Sequence, residues 1–283
     1  MTMTGRAKLA GVMGWPVGHS LSPVLHGHWL DSLGIDGAYV PLAVAPENFA
    51  PALAALANMG FRGVNVTVPH KEAALAAVDT ADALARRIGA VNTVIVGDDG
   101  KLTGTNTDGF GFLENLKEGA PGWNPGQGPA VVLGAGGAAR AVVVALIDAG
   151  VPEIRLINRT RARADRIARD LDGPVTVHDW EDRAAVLADA NLLANTTTLG
   201  MMGKDPLDIS LDALPAAALV NDIVYAPLET GLLAAARTRG NPVVDGLGML
   251  LHQARPGFEA WFGQAPQVTP DLRARILAHL GQG

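Results

Sequence analysis

Apolar residues fall along the chain in two alternating rhythms. Short runs such as "KLAGVMG", "GAYVPLAV", "AVVL" (130–133) and "IRLI" (154–157) have the length and branched content of buried strands. Between them lie helical stretches that close on glycine, "PVLHGHWLDSLG" at Gly34 and "PENFAPALAALANMG" at Gly60. "GVNVTVPHK" alternates, which sets Val64, Val66 and Val68 on one strand face and Asn65 and Thr67 on the other. After "AVVL" the pattern is regular: helix "AARAVVVALIDAG", strand "IRLI", helix "RARADRIARDL", strand "PVTVH" and a helical stretch at 181–188. Strands "ANLLAN" and "ALVNDIVY", helix "ETGLLAAARTRG" and a short strand "PVVD" follow. The last helix read from the pattern is "LGMLLHQARPGFEAWFG". Such alternation predicts an α/β fold whose parallel strands are covered on both faces.

One segment breaks the rhythm. "EGAPGWNPGQGPA" (118–130) is dense in glycine and proline and reads as a linker between two domains, with Asp245–Gly248 as the second crossing. The expected division is an N-terminal α/β domain over 1–113, completed by the C-terminal helices of 247–283, and a Rossmann-type doubly wound domain over 114–246.

Composition narrows the classes. A chain of 283 residues that is 48% hydrophobic has ample material for a large core. A net charge of −6 without a long basic run speaks against nucleic-acid binding. With no cysteine there are no disulfides, thiolate zinc sites or cysteine nucleophiles. The longest apolar stretch, Ala141–Ile147, is too short to cross a membrane, and the first residues lack the pattern of an export signal. The expectation is a cytoplasmic protein, monomer or homodimer, with no metal site. His26 and His28 stand two apart on a helix, point to different sides, and read as packing or surface residues rather than metal ligands.

The chemistry begins at "VVLGAGGAARAVVVAL", where Gly134, Gly136 and Ala139 have G-x-G-x-x-A spacing between a strand and a helix. The first glycine allows the tight turn, the second lets backbone approach a pyrophosphate, and the small third residue lets the helix pack on its strand. Strand–turn–helix–strand context makes this a dinucleotide site. Where an NAD-binding fold places an acidic residue for the ribose 2′-hydroxyl, this chain has "INRTRAR". Arginine forks match a 2′-phosphate, and Arg159 and Arg163, four apart, are expected to share one helical face toward it. That favours NADP; the bland alternative is a solvated basic helix.

Reduction of a carbonyl also needs a proton source. Lys71 follows Pro69 at the start of a helix, where the dipole disfavours positive charge, which is expected to make it a usable acid or base. Asp108 in "GTNTDGFGFLENL" is either its partner or a helix cap. In "GHSLSP", Ser22 before Pro23 is predicted to be the helix N-cap, which leaves Ser20 as a second hydroxyl needing its own role.

Nine ordered motifs, "GWPVGHSLSP", "GVNVTVPHK", "GAVNTV", "GTNTDG", "GAGGAAR", "NRT", "NTTTLGM", "DIVYAPLETGLL" and "DGLGMLLHQA", resemble the shikimate dehydrogenase family from about residue 11 to 262. The resemblance implies NADP-dependent interconversion of 3-dehydroshikimate and shikimate in aromatic amino-acid biosynthesis, with the N-terminal domain binding substrate. It implies that Lys71 and Asp108 are the catalytic pair, and that Ser20 and Ser22 bind the substrate carboxylate. Thr67, Asn92, Tyr225 and Gln253 match further substrate contacts. Gly134, Ala135, Gly136, Gly137 and Ala138 match the pyrophosphate turn, and Asn158, Arg159, Thr160 and Arg163 the adenosine phosphate site. Thr196, Thr198, Val224, Gly246 and Met249 fall where the family lines the cofactor. Small departures, the third Thr of "NTTTLGM" and the "AWFG" ending, touch none of this chemistry. Two other readings stay open: a quinate/shikimate dehydrogenase preferring NAD, and a non-catalytic binder of NADPH or shikimate.

Overall fold

The computed structural model describes residues 3–281. They divide into two compact units, one running to Thr107 and including Gln253–Gly281, the other Asp108–His252. The chain passes between units at Thr107–Asp108 and His252–Gln253. The 118–130 segment lies inside the second unit, where its backbone is satisfied locally: Ala120 N–H donates to Leu116 O, and the Asn124 side chain accepts from Gly126 N–H at 3.0 Å. Glycine and proline marked a turn there.

The first unit is built on a six-stranded sheet. Its strands are β1 (Lys8–Gly14), β2 (Gly37–Ala43), β3 (Phe61–Val66), β4 (Thr80–Ala81), β5 (Thr93–Val96) and β6 (Leu102–Thr105), in spatial order β2-β1-β3-β5-β6-β4. β1 pairs parallel with β2 and β3, and β5 alone runs the other way, antiparallel to β3 and β6. β5 and β6 form a hairpin closed by Gly97 N–H to Lys101 O, with Gly100 at φ +78°. Its "GDDGK" turn between alternating residues is a hairpin signal that the reading of the pattern passed over.

Three other expectations change in this unit. β3 stops at Val66, and Val68 is 70% exposed rather than on the core face, because Pro69 cannot continue the ladder. "PENFAPALAALANMG" is not one helix but 3₁₀ turns at Pro46–Asn48 and Ala57–Met59 flanking α2 (Phe49–Ala55). Pro51 in its first turn has no N–H to extend the ladder backward. A helix beyond the last one read, α10 (Pro270–His279), follows α9 (Leu247–Phe262). Its signal was in plain view: Thr269 Oγ1 accepts from Leu272 N–H at 3.2 Å, with Pro270 at the first position.

On one side of this sheet Met13, Phe49, Leu53, Leu56, Val64 and Val66 form a core. Elsewhere in the unit α1 (Ser22–Ser32) and α9 bring together Trp29, Phe258, Trp261 and His26. His26 stacks flat on Tyr39, ring centroids 3.9 Å apart, a packing role. Gly63, at φ +151°, is required there: a Cβ would collide with the Val94 carbonyl and the Trp261 indole.

The second unit has an all-parallel sheet of β7 (Ala130–Leu133), β8 (Ile154–Ile157), β9 (Val175–His178), β10 (Leu192–Asn195), β11 (Leu219–Asp222) and β12 (Val243–Val244), in order β12-β11-β10-β7-β8-β9. Helices α5 (Asp108–Gly119), α6 (Gly137–Asp148), α7 (Arg161–Asp170) and α8 (Gly231–Thr238) belong to it. The stretch at 181–188 is a 3₁₀ helix, Trp180–Leu187. Progression runs outward from β7 in both directions, which is the doubly wound arrangement expected. Among the described residues, no helix is long and apolar enough to cross a membrane.

Candidate functional site

Open α/β sheets bind ligands beyond the carboxyl ends of their strands, where strand order reverses. In the second unit that point lies between β7 and β10, and the expected cofactor residues sit there. Gly134 leaves β7 at φ +114°, with a Cβ position 2.7 Å from Thr196 Oγ1, so a larger residue would strike the loop after β10. Thr196 Oγ1 donates to Leu133 O at 2.6 Å, so it braces the turn with its hydroxyl already committed. Gly136 occupies the N-cap position of α6, and Ala139 is fully buried against the sheet. A Cβ on Gly136 or Gly137 would meet nothing within 4 Å. Open space in front of unsatisfied helix amides fits a pyrophosphate there.

Asn158, Arg159 and Thr160 follow β8, and Asn158 Nδ2 donates to Thr160 O at 2.9 Å. One step of the arginine argument fails. Thr160 stands at the N-cap position and α7 begins at Arg161, so Arg159 precedes the helix and shares no helical turn with Arg163. Arg166 and Arg169 of α7 are, like these two, exposed and in no ion pair among the described residues, while other arginines nearby are held by carboxylates. Arg155 is held by Glu153 and Asp189, Arg161 by Asp165 and Asp179, and Arg140 by Asp170. Among the described residues, Arg159 and Arg163 are exposed and in no ion pair, which suits a phosphate.

Val224 and Tyr225 follow β11, and Gly246 and Met249 follow β12. Val224 and Met249 are buried, Tyr225 is half-buried, and burial raises the Tyr225 phenol pKa. A Cβ on Gly246 would run into the Ile223 and Val224 carbonyls. The sequence reading missed what holds this edge. Asp222, fully buried, accepts from Val224 N–H and Asn195 Nδ2, both at 3.0 Å, and from Thr230 Oγ1 at 2.8 Å. Burial raises its pKa, and the three donors oppose that rise. An acid inside a buried strand was the available signal.

In the first unit, the same rule gathers the substrate candidates. β1 and β3 run parallel and end beside each other at Gly14 and Val66, while antiparallel β5 begins at that edge with Asn65 opposite Thr93. Ser20 and Ser22 therefore follow β1, Thr67 and Lys71 follow β3, and Asn92 precedes β5, all at one edge. Thr107, after β6, comes to the same edge, because Asn92 Oδ1 accepts from Thr107 N–H at 2.9 Å and Asn92 Nδ2 donates to Thr107 Oγ1 at 3.0 Å.

Lys71 is the first residue of α3 (Lys71–Ala77), and its carbonyl accepts from Val91 N–H at 2.9 Å. His70 anchors the turn before it: the buried imidazole stacks on Phe49 at 4.4 Å and its Nε2 lies 2.7 Å from Val44 O. A carbonyl only accepts, so Nε2 carries the proton. Asp108 is the first residue of α5 in the second unit and is buried. Gln253, half-buried on α9, belongs to the first unit.

The serine prediction is corrected. Ser22 is the first residue of α1, Leu21 holds the cap position, and Ser22 makes no side-chain cap bond. Ser20 Oγ accepts from Ser22 N–H at 3.3 Å instead. Leucine offers no acceptor, so the hydroxyl two residues ahead of Ser22 does that work. Behind them, Tyr39 and Asn65 form a buried polar pair that the pattern did not single out, with Tyr39 Oη donating to Asn65 Oδ1 at 2.7 Å.

Comparison with known proteins is extensive. The shikimate dehydrogenase substrate binding domain matches residues 12–94, shikimate/quinate 5-dehydrogenase 125–201, and the shikimate 5′-dehydrogenase C-terminal domain 246–274. The chain is 66% identical to a shikimate dehydrogenase (NADP(+)) of Paramagnetospirillum magneticum, over 98% of this chain and 100% of that one. Shikimate 5-dehydrogenase from Thermus thermophilus, solved with NADP(H) and shikimate, superposes with a TM-score of 0.85 at 39% identity, covering 96% of this chain and 99% of that one. Quinate dehydrogenase from Corynebacterium glutamicum, solved with NAD, gives 0.89 at 31% identity, over 96% and 99%. With three matched segments spread along it and relatives aligned over nearly its whole length, the chain belongs to the shikimate dehydrogenase family.

Proposed function

We propose that the chain catalyses the reversible NADP-dependent reduction of 3-dehydroshikimate to shikimate. One observation carries the reading: the carboxyl edge of the first sheet gathers hydroxyls, an amide and a lysine, a set suited to a small anionic polyol rather than a greasy ligand. Ser20 and Ser22 hold the carboxylate. Thr67, Asn92, Tyr225 and Gln253 hold the ring and its hydroxyls. Substrate binding thus belongs mainly to the N-terminal unit, and cofactor binding to the unit built on β7–β12.

Gly134, Ala135, Gly136, Gly137 and Ala138 would hold the pyrophosphate of NADP, with Asn158, Arg159, Thr160 and Arg163 on the adenosine side. Thr196, Val224, Gly246 and Met249 line the rest. The reduced cofactor supplies the hydride when bound. As the ketone carbon accepts it, Lys71 donates a proton to the developing alkoxide oxygen, and Asp108 is the second member of the acid–base pair. In the oxidation direction the same pair removes the hydroxyl proton. Each side chain leaves the first residue of a helix, a position fixed by backbone rather than by a flexible loop. The test is absorbance at the NADPH band with shikimate plus NADP; no signal overturns the reading.

A second reading has support in the likeness to the quinate dehydrogenase solved with NAD. Exposed Arg159 and Arg163, without carboxylate partners, favour the phosphate-bearing cofactor instead. Steady-state rates for shikimate against quinate, and NADP against NAD, separate the two.

A further inference from the structure

Beyond the residues that meet ligands, we propose that Tyr39 is a positioning residue that, through Asn65, holds Asn92 in place at the first unit's substrate edge. This inference rests on the reading of that edge as the substrate site.

The hydrogen-bond inventory dictates the direction of the link. Asn65 Nδ2 lies 3.2 Å from Asn92 O, which only accepts, so the amide orientation of Asn65 is fixed. The same nitrogen reaches Thr93 Oγ1 at 3.1 Å. Asn65 Oδ1 must then face Tyr39, and the phenol must be the donor at 2.7 Å. From Asn65 the line continues, since Thr93 Oγ1 donates to Asn92 Oδ1 at 2.9 Å, and that oxygen also accepts from Thr107 N–H. The phenol proton therefore completes the hydrogen bonding of the amide that supports the Asn92 main chain directly and its side chain through Thr93.

Burial raises the Tyr39 pKa and the Ser22 hydroxyl works against that rise, so the phenol stays a protonated donor at neutral pH. The ring cannot turn away, because it stacks on His26 at 3.9 Å with the planes 1° apart. His26 is fully buried and its pKa falls to about 3, so that partner stays uncharged across the working pH range.

Tyr39→Phe keeps the ring, the stack and the packing, and removes only the oxygen that donates to Asn65. In the shikimate plus NADP assay the variant is expected to raise the KM for shikimate about three- to tenfold, the range for losing one buried hydrogen bond. kcat should stay within about twofold, and the KM for NADP should not move. Thermal unfolding and an NADP titration, run alongside, give the folded fraction. An unchanged KM for shikimate overturns the proposal, with or without a fall in Tm, since a merely structural tyrosine lowers the active fraction without weakening substrate binding. If the wild-type chain gives no signal at all, the functional reading fails first and the proposal falls with it; a wild-type signal with an unmoved KM in the variant removes the proposal alone.

Discussion

Ser20 Oγ accepts a hydrogen bond from the Ser22 backbone N–H at 3.3 Å, so the two serines divide their labour in the reverse of the expected order. Ser20 satisfies an orphan donor at the start of α1, and Ser22 is buried at the first position of that helix. Ser20→Ala should therefore cost about 1 kcal/mol of stability, the usual effect of a lost cap. Ser22→Ala should cost less than that but raise the KM for shikimate. Denaturant melts of both variants beside their kinetics check the ordering; a Ser22→Ala that destabilises more than Ser20→Ala refutes it.

Lys71 is the proposed proton donor, so Lys71→Met is expected to lower kcat at least about 100-fold with KM nearly unchanged, the low end for lost acid–base catalysis. Steady-state kinetics in the shikimate direction measure it. A loss of only a few fold removes Lys71 from the chemistry.

Arg159 lies just ahead of the α7 cap and in no ion pair among the described residues. Arg159→Glu should raise the KM for NADP at least about tenfold by removing a charge-assisted bond to the 2′-phosphate. The KM for NAD should not rise. Parallel loss with both cofactors would place Arg159 outside the phosphate site.

Desolvation holds the His26 pKa at about 3 in the folded chain, against 6.5 for an ordinary histidine. Between those values the unfolded chain binds the extra proton. Stability is therefore intact above about pH 6.5 and falls as pH drops toward 3, by about 1.4 kcal/mol per pH unit from this group. Urea melts from about pH 7 to about pH 4.5 should show that slope, and His26→Leu should flatten it. An unchanged slope in the variant would assign acid sensitivity elsewhere.

Gly63 has no room for a methyl group between the Val94 carbonyl and the Trp261 indole, and its φ is +151°. Gly63→Ala is expected to cost more than about 3 kcal/mol, combining steric and backbone strain. Chemical denaturation tests it; a loss under about 1 kcal/mol would mean that β5 and α9 shift freely.

Local order in the chain determined a good deal. Unbroken apolar runs give buried parallel strands because both faces are covered, and the second unit's strands fall where the pattern put them. Gly134 and Ala139 were legible because a tight turn and a close helix admit few residue types, and Lys71 because Pro69 forces a stop before a helix. Tertiary structure decided the rest. Nothing in "NDIVY" says that Asp222 collects donors from outside it, from the Asn195 amide at the end of β10 and the Thr230 hydroxyl before α8, because Asn195 reaches it only through strand pairing and Thr230 only through the turn into α8. Whether Leu21 or Ser22 capped α1 turned on one residue of helix phase, which periodicity does not resolve. The polar line from Tyr39 through Asn65 to Asn92 exists only because β2, β1, β3 and β5 lie in that order, and strand order is set by long-range packing that no local pattern encodes.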